Sequence, residues 1–300
     1  VGMMGTRLEV NVHVVTGSIS STQNIVACVN RAGVAVVDTV IEQLAASESV
    51  LTADERELGV ALVDIGGGTT DLAIFERGSL WHTGVVAMGG DHFTNDIAVG
   101  LRTPIPDAEK TKRRSGCALA SLVDEDETIE VASVGGREPR VMSRRILSEV
   151  LQPRAEEIFH ALWDEIRRAG YERSLHSGLV LCGGGALLEG MAEIAEQIFD
   201  LPIRRGCPVD VGGLSDHVSS PSFATGVGLL KYVHRNQRRE QRRLGGVGTL
   251  SSLAGRLRGL FKTGEAVAAT QDVASEEKSE LPPREKRELR GWEHAVARAA

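Results

Sequence analysis

The segment Asp64-Ile65-Gly66-Gly67-Gly68-Thr69-Thr70-Asp71 constrains this chain more than any other. Apolar runs at 59–63 and 72–75 flank it, so the pattern predicts two strands joined by a tight turn made almost wholly of glycine. Without a Cβ, successive residues let backbone N–H groups converge on an anion, which is how phosphates are cradled. Thr69 and Thr70 add hydroxyls, and Asp64 and Asp71 flank the turn where a magnesium ion with its waters would sit against a polyphosphate. The run is not a Walker loop, because GxxxxGK[ST] occurs nowhere in the chain.

A second run, Cys182-Gly183-Gly184-Gly185-Ala186, closes an apolar strand at 178–181 and precedes a helix at 188–199. That places it at the carboxyl end of a strand, where α/β folds bind ligands, with a helix N-terminus behind it. Taken alone it is equally a close-packing turn. Two strand-terminating triplets about 115 residues apart suggest a duplicated architecture with a nucleotide between them.

The rest of the chain supports an α/β rhythm. Alternation at 8–15 reads as a strand, followed by a helix at 21–32, a short strand at 35–40 and a helix at 42–51. After the hairpin, 91–99 is helical, with Gly89-Gly90-Asp91 as its turn and N-cap. Residues 103–145 are more charged and read as an insertion with a helix at 107–114 and strands at 129–133 and 139–142. A long amphipathic helix covers 145–168. The opening Val1-Gly2-Met3-Met4 runs straight into the first strand, so the chain is expected to begin inside a fold.

Charge separates an acidic body from a basic segment beyond residue 234. Residues 1–234 carry a net −12, residues 235–262 a net +7 and residues 263–300 a net −2, a balance that disfavours nucleic acid as the ligand of the body. With 42% hydrophobic and 25% charged residues the chain is an ordinary globular one, and no stretch approaches the ~18 apolar residues of a spanning helix. A cytoplasmic location is expected. Cys28, Cys117, Cys182 and Cys207 lie far apart with no CxxC pair and read as reduced packing residues, and the histidines form no metal-binding pattern. On a helical wheel, Val247, Leu250, Leu253, Leu257, Leu260 and Phe261 fall within an arc of about 140°, with Arg256, Arg258 and Lys262 outside it. That is the pattern of a helix lying in a membrane interface, with Arg235, Arg238, Arg239, Arg242 and Arg243 adding attraction to anionic lipid; a helix docked on a protein is the alternative.

The glycine runs resemble the actin/heat-shock-chaperone/sugar-kinase superfamily, whose second phosphate loop reads D-[IL]-G-G-G-T-x-D and whose adenosine loop is a GG(G) after a strand. Within it the resemblance is greatest to the FtsA family of bacterial cell-division proteins. It is carried by Glu55-Arg56-Glu57-Leu58-Gly59-Val60, Val63 to Thr69, Leu101-Arg102-Thr103-Pro104, Gly116-Cys117-Ala118-Leu119 and Ser133-Val134-Gly135-Gly136-Arg137, and covers about residues 1–234. The fold it implies is an α/β, actin-like (ribonuclease H-like) two-lobe ATPase fold that here lacks its first phosphate hairpin. The domains expected are the end of an inserted first-lobe subdomain (1–16), the remainder of the first lobe (17–58), a second-lobe nucleotide-binding core (59–102 and 169–234) interrupted by an inserted subdomain (103–168), a basic linker (235–246), the amphipathic membrane helix (247–262) and a disordered tail (263–300).

Carried over residue by residue, the resemblance implies ATP and Mg2+ as cofactors. Asp64 and Asp71 would face magnesium through water, and Gly66, Gly67, Gly68 and Thr69 would contact the phosphates. Glu42 would lie near that water, unless it is an exposed acid beginning a helix. Glu109 and Lys112 would approach the ribose and adenine, unless they form a solvated pair, and Gly183, Gly184 and Gly185 would lie against the adenosine. The function implied is a peripheral scaffold on the cytoplasmic face of the inner membrane at the division site, at most a slow ATPase. It would self-associate into filaments, bind the FtsZ C-terminal tail and anionic inner-membrane lipid, and recruit later division proteins to the septum. Arg137, Arg140, Arg144 and Arg145 are candidates for an acidic FtsZ tail, a solvated face being the alternative. A soluble small-molecule kinase or a pilus-assembly actin homologue would share the loops but not the terminal helix.

Overall fold

A computed structural model describes residues 6–237 of the chain, apart from positions 8, 11 and 214. Its strands are β1 (Val60–Ile65), β2 (Thr70–Glu76), β3 (Ser79–Val86), β4 (Thr128–Val131), β5 (Arg140–Ser143), β6 (Leu179–Cys182) and β7 (Ile203–Arg205). Its helices are α1 (Ile19–Arg31), α2 (Glu42–Val50), α3 (Ala53–Leu58), α4 (Gly90–Gly100), α5 (Ile105–Ser115), α6 (Arg144–Ala169) and α7 (Met191–Phe199), and residues 224–231 form a last helix. Among the described residues one compact unit ends at Lys231; residues 232–237 begin a second and are helical.

β1 is apolar at every position but Asp64, the composition of a strand covered on both faces. It sits at the centre of a five-stranded sheet of order β3-β2-β1-β6-β7. β1, β2 and β3 pair antiparallel, whereas β6 and β7 run parallel to β1. Alternation along these strands then divides the core in two. Ala61, Val63, Ile65, Leu72, Ile74, Leu179 and Leu181 face one layer, with α4, α6 and α7. Val60, Leu62, Ala73, Phe75, Val180 and Cys182 face the other, with α2 and Ala224. By the same parity Asp64 and Asp71, which are Cα partners across the β1–β2 ladder, belong to the α2 side.

α6 is held on its layer by a stripe at helical spacing, Leu147, Leu151, Ala155, Ile158, Phe159, Leu162 and Ile166, all fully buried. Burial of each large side chain contributes about 1.5–3 kcal/mol, and Phe199 of α7 closes the layer edge-on to Phe159 and Trp163 at 6.0 and 5.3 Å between ring centroids. On the opposite layer helix 224–231 presses against α2. Ser49 Oγ donates to Ala224 O at 2.6 Å, and a Cβ on Gly228 would lie 1.9 Å from Ala45 O, so only glycine allows this approach.

The hairpin, helices 21–32, 42–51, 91–99, 107–114 and 145–168, and the β4–β5 pair are found within a few residues of their expected bounds. Other expectations are corrected. The described residues of 8–15 belong to no strand, and Val10, Val12 and Val14 are exposed; alternation without a neighbouring edge gives no ladder. Residues 35–40 are an extended connection with Val37 almost wholly exposed. β3, β7 and helix 224–231 were not legible. Cys117 and Cys182 are packing residues as expected, but Cys28 is exposed. The helix after the second glycine run begins only at Met191, behind a single 3-10 turn at Gly185–Leu187, so its N-terminus does not stand directly behind the glycines.

One of the four candidate docking arginines, Arg144, is engaged inside the fold, whereas Arg140 stays exposed. Arg144 donates from Nε to Ser115 O at 2.9 Å, from Nη1 to Glu127 at 2.8 Å and from Nη2 to Glu189, with only 16% of its side chain exposed. Arg140 donates to the carbonyl of Leu101. Arg137 is exposed, and Arg145 keeps an open side chain beside Glu125 and Glu149, each at 3.5 Å.

Because the contact of helix 224–231 with α2 has no room for a methyl group, Gly228→Ala is expected to cost about 1–3 kcal/mol. Thermal unfolding should show a fall of several degrees; an unchanged midpoint would mean that the two helices separate freely.

Candidate functional site

Three carboxyl groups converge where the hairpin leaves β1. Asp64 and Asp71 oppose each other across the ladder, an arrangement that destabilises a sheet when both are charged. Glu42, in the first turn of α2, hydrogen-bonds Asp71 and stands at the exposed rim. That bond, partial burial, and the charges of Asp71 and Asp64 raise the Glu42 pKa to about 7. Burial raises Asp64 as well, opposed by a bond from Thr225. Cys182, the Cα partner of Asp64 on β6, is held well above the usual thiol range by burial and by Asp64, so it is a neutral donor.

The carboxylates are held by neutral groups. Gln43 Nε2 donates to Asp71 Oδ1 at 2.8 Å, Thr69 Oγ1 to Asp71 Oδ2 at 3.1 Å and Thr225 Oγ1 to Asp64 Oδ2 at 3.1 Å. Among the described residues no Lys, Arg or His forms an ion pair with Glu42, Asp64 or Asp71. Among the described residues this negative charge is met by neutral donors alone. No group of three or more His, Cys, Asp or Glu among the described residues has the geometry to ligate a metal directly. A magnesium ion fits this donor set through its water shell.

Both glycine runs lie beside these carboxyls. They follow the parallel strands β1 and β6, so they emerge side by side at the carboxyl end of the sheet. Gly183 has φ +83° and its Cβ would fall 2.2 Å from Asp64 Oδ1, a place no other residue can take. In the first run Gly66 N–H donates across the turn to Thr69 O at 2.9 Å, whereas the N–H groups of Gly67 and Gly68 have no acceptor among the described residues. The turn is fixed from behind by α4, whose Gly90 and Asp91 N–H groups donate to the carbonyls of Gly66 and Gly67 at 2.8 and 2.7 Å. Thr70 Oγ1 donates to Met88 O at 2.8 Å. The cap of α4 is Gly89, with Asp91 inside the first turn.

Glu109 and Lys112 lie beside the same corner, as the i, i+3 pair expected, at 2.6 Å. Lys112 Nζ also donates to Gly90 O and Thr94 Oγ1, each at 2.8 Å, so all three of its protons are engaged. It anchors α5 to α4. Glu109, whose pKa is lowered because Lys112 and Thr94 outweigh its burial, is the member with capacity left for a ligand. The structure thus gathers Glu42, Asp64, Asp71 and both glycine runs, with Glu109 and Lys112 at the side. Sequence reasoning missed Gln43 and Thr225, which act over 28 and 161 residues of separation. The six apolar tail positions Val247, Leu250, Leu253, Leu257, Leu260 and Phe261 lie outside the described residues.

The sequence profile of the family described as "Cell division protein FtsA" matches residues 61–228. The chain belongs to the FtsA family. It is 54% identical over 236 residues to an FtsA of Pseudomonas aeruginosa, covering 79% of this chain and 57% of that protein. It is 45% identical over 239 residues to an FtsA of Escherichia coli, covering 77% and 57%. The chain therefore spans little more than half the length of these FtsA relatives. In fold it is similar to MreB5 of Spiroplasma citri bound to ADP, with a TM-score of 0.58 and 20% identity over 75% of this chain and 68% of that one. The actin-like ATPase fold expected from the glycine runs is borne out.

A folded-state pKa of about 7 for Glu42, above its ordinary 4.5, means that the folded chain binds this proton more tightly than the unfolded chain. Its stabilising effect is full below about pH 4.5 and is lost as pH rises toward 7, and Asp64 contributes with the same sign. Melting temperatures at fixed ionic strength should fall across that interval, and more shallowly in Glu42→Gln. Parallel profiles for parent and variant would remove Glu42 from the cluster.

Proposed function

We propose that this chain is the nucleotide-binding body and membrane-attachment segment of a cell-division scaffold that links FtsZ to the cytoplasmic face of the inner membrane. The observation that carries the nucleotide part is the convergence of both glycine runs on three carboxyls that lack a cationic partner. ATP would lie along the two runs, with its phosphates on the N–H groups of Gly67 and Gly68 and on Thr69, and its adenosine against Gly183, Gly184 and Gly185. Magnesium supplies the positive charge that the phosphates and acids require. Asp64 and Asp71 would orient its water shell, and Glu42, with a pKa of about 7, would take a proton from an attacking water. Glu109 offers an acceptor at the ribose side.

Membrane attachment rests on the sequence of 235–262. Six apolar side chains at an interface, opposed by ordering entropy and by Gly255 and Gly259 within the helix at about 1 kcal/mol each, make a weak anchor. A monomer would leave the bilayer readily, while several tails in one assembly bind together. Attachment then depends on self-association, which concentrates the scaffold where the division polymer gathers it. An acidic FtsZ tail is best matched by the exposed Arg137, Arg140 and Arg145, since Arg144 is committed to the fold. Later division proteins would be recruited to the same assembly.

Two measurements test these parts separately. ATP should bind the 300-residue chain more weakly than the same chain joined to the N-terminal segment of its Pseudomonas relative. In the joined protein Asp64→Ala should remove most of the magnesium dependence; titration calorimetry giving equal affinities throughout would sink the nucleotide reading. For the tail, Leu253→Glu with Leu257→Glu should abolish co-sedimentation with anionic liposomes, and raised salt should weaken the parent's binding. A double variant that sediments like the parent would put the anchor elsewhere.

A further inference from the structure

The two aspartates at the centre of the site are Cα partners on one face of the β1–β2 ladder, and among the described residues no cation pairs with either. Like charges so placed repel, and each side chain has rotamers that would carry it away. Besides Thr69 and Cys182 within the sheet and its turn, one donor from each flanking helix opposes this. Gln43, 9% exposed in the first turn of α2, gives Nε2–H to Asp71 Oδ1 at 2.8 Å. Thr225, in the first turn of helix 224–231, gives its hydroxyl to Asp64 Oδ2 at 3.1 Å. The two helices are fixed to each other by the contact at Gly228 and by the Ser49 bond to Ala224, so the donors stand at a set separation.

We propose that Gln43 and Thr225 are positioning residues for the divalent cation: each fixes the orientation of one aspartate, so that the two carboxylates can accept from the waters of a single metal ion. This rests on the reading of these acids as a magnesium-nucleotide site. Neutral donors suit the task better than a lysine or arginine would. They fix the oxygens without cancelling the charge that attracts the ion, and outer-shell partners of this kind typically contribute 10- to 100-fold to metal affinity. The charge stays available because neither donor carries any. Helix 224–231 thereby reports directly on the hairpin, through one hydroxyl that lies 161 residues away in sequence.

Mn2+ alone, titrated into the 300-residue chain and followed by loss of its free EPR signal, tests this. Asp64→Ala should abolish the tightest binding. Thr225→Val, which keeps the shape and removes the hydroxyl, should weaken it about tenfold, and Thr225→Ser should restore it. Gln43→Leu should weaken it comparably and carries the same test on Asp71 where Thr225→Val does not fold. Melting temperatures near the parent's separate positioning from loss of structure. If Asp64→Ala abolishes binding while Thr225→Val and Gln43→Leu match the parent, the positioning role is overturned and the site reading stands. If Asp64→Ala binds Mn2+ as the parent does, or the parent binds none, the site reading fails and this proposal with it.

Discussion

The rest of the structure depends on an electrostatic misfit: two aspartates face each other across the β1–β2 ladder with a glutamate beside them, and among the described residues no cation pairs with them. A sheet selected for stability alone would place apolar or opposite-charge partners there. The misfit is tolerated because part of the charge is removed by proton uptake at Glu42 and part is spread over neutral donors. On the function proposed above it would be useful, because a magnesium-polyphosphate would bring positive charge to the acids and an anion to the N–H groups of the turn. Each half of such a ligand answers one half of the site.

The surrounding fold serves to keep that arrangement narrow. β1 is fixed by antiparallel and parallel neighbours at once, so both glycine runs leave the sheet at the same end. α4 caps the first run from behind through its own N-terminal N–H groups, which would otherwise need solvent or a side chain. α5 is then bound to α4 by Lys112, whose three protons are all engaged. None of these contacts is large in area. Their effect is to leave the loop one conformation, which is what close approach to a phosphate requires.

Legibility in the sequence divides along the same line. The hairpin and its two acids could be read because glycine triplets beside apolar strands have few structural meanings, and α6 because its apolar spacing runs for more than twenty residues. β3 was missed because its positions are nearly all half-buried, which leaves no clean alternation. The segment at 8–15 alternates well, yet periodicity describes a face and says nothing about a partner. Gln43 and Thr225 carry no local signal: their meaning lies in register and helix packing, which only tertiary structure supplies. Arg144 looked like a surface charge because it sits among other arginines, but three acceptors from distant segments draw it inward.

That last arginine also sets how the charged β4–β5 pair relates to the nucleotide end of the sheet. Arg144 begins α6, directly after β5, and its guanidinium reaches the end of α5, the approach to β4 and Glu189 in the loop after the second glycine run. The same loop is bound from the other side, where Ala118 N–H donates to Glu189 O at 2.7 Å. The pair of strands therefore cannot shift relative to residues 188–190 without breaking charge-assisted bonds of Arg144, whose guanidinium is mostly buried while Glu127 and Glu189 remain partly exposed.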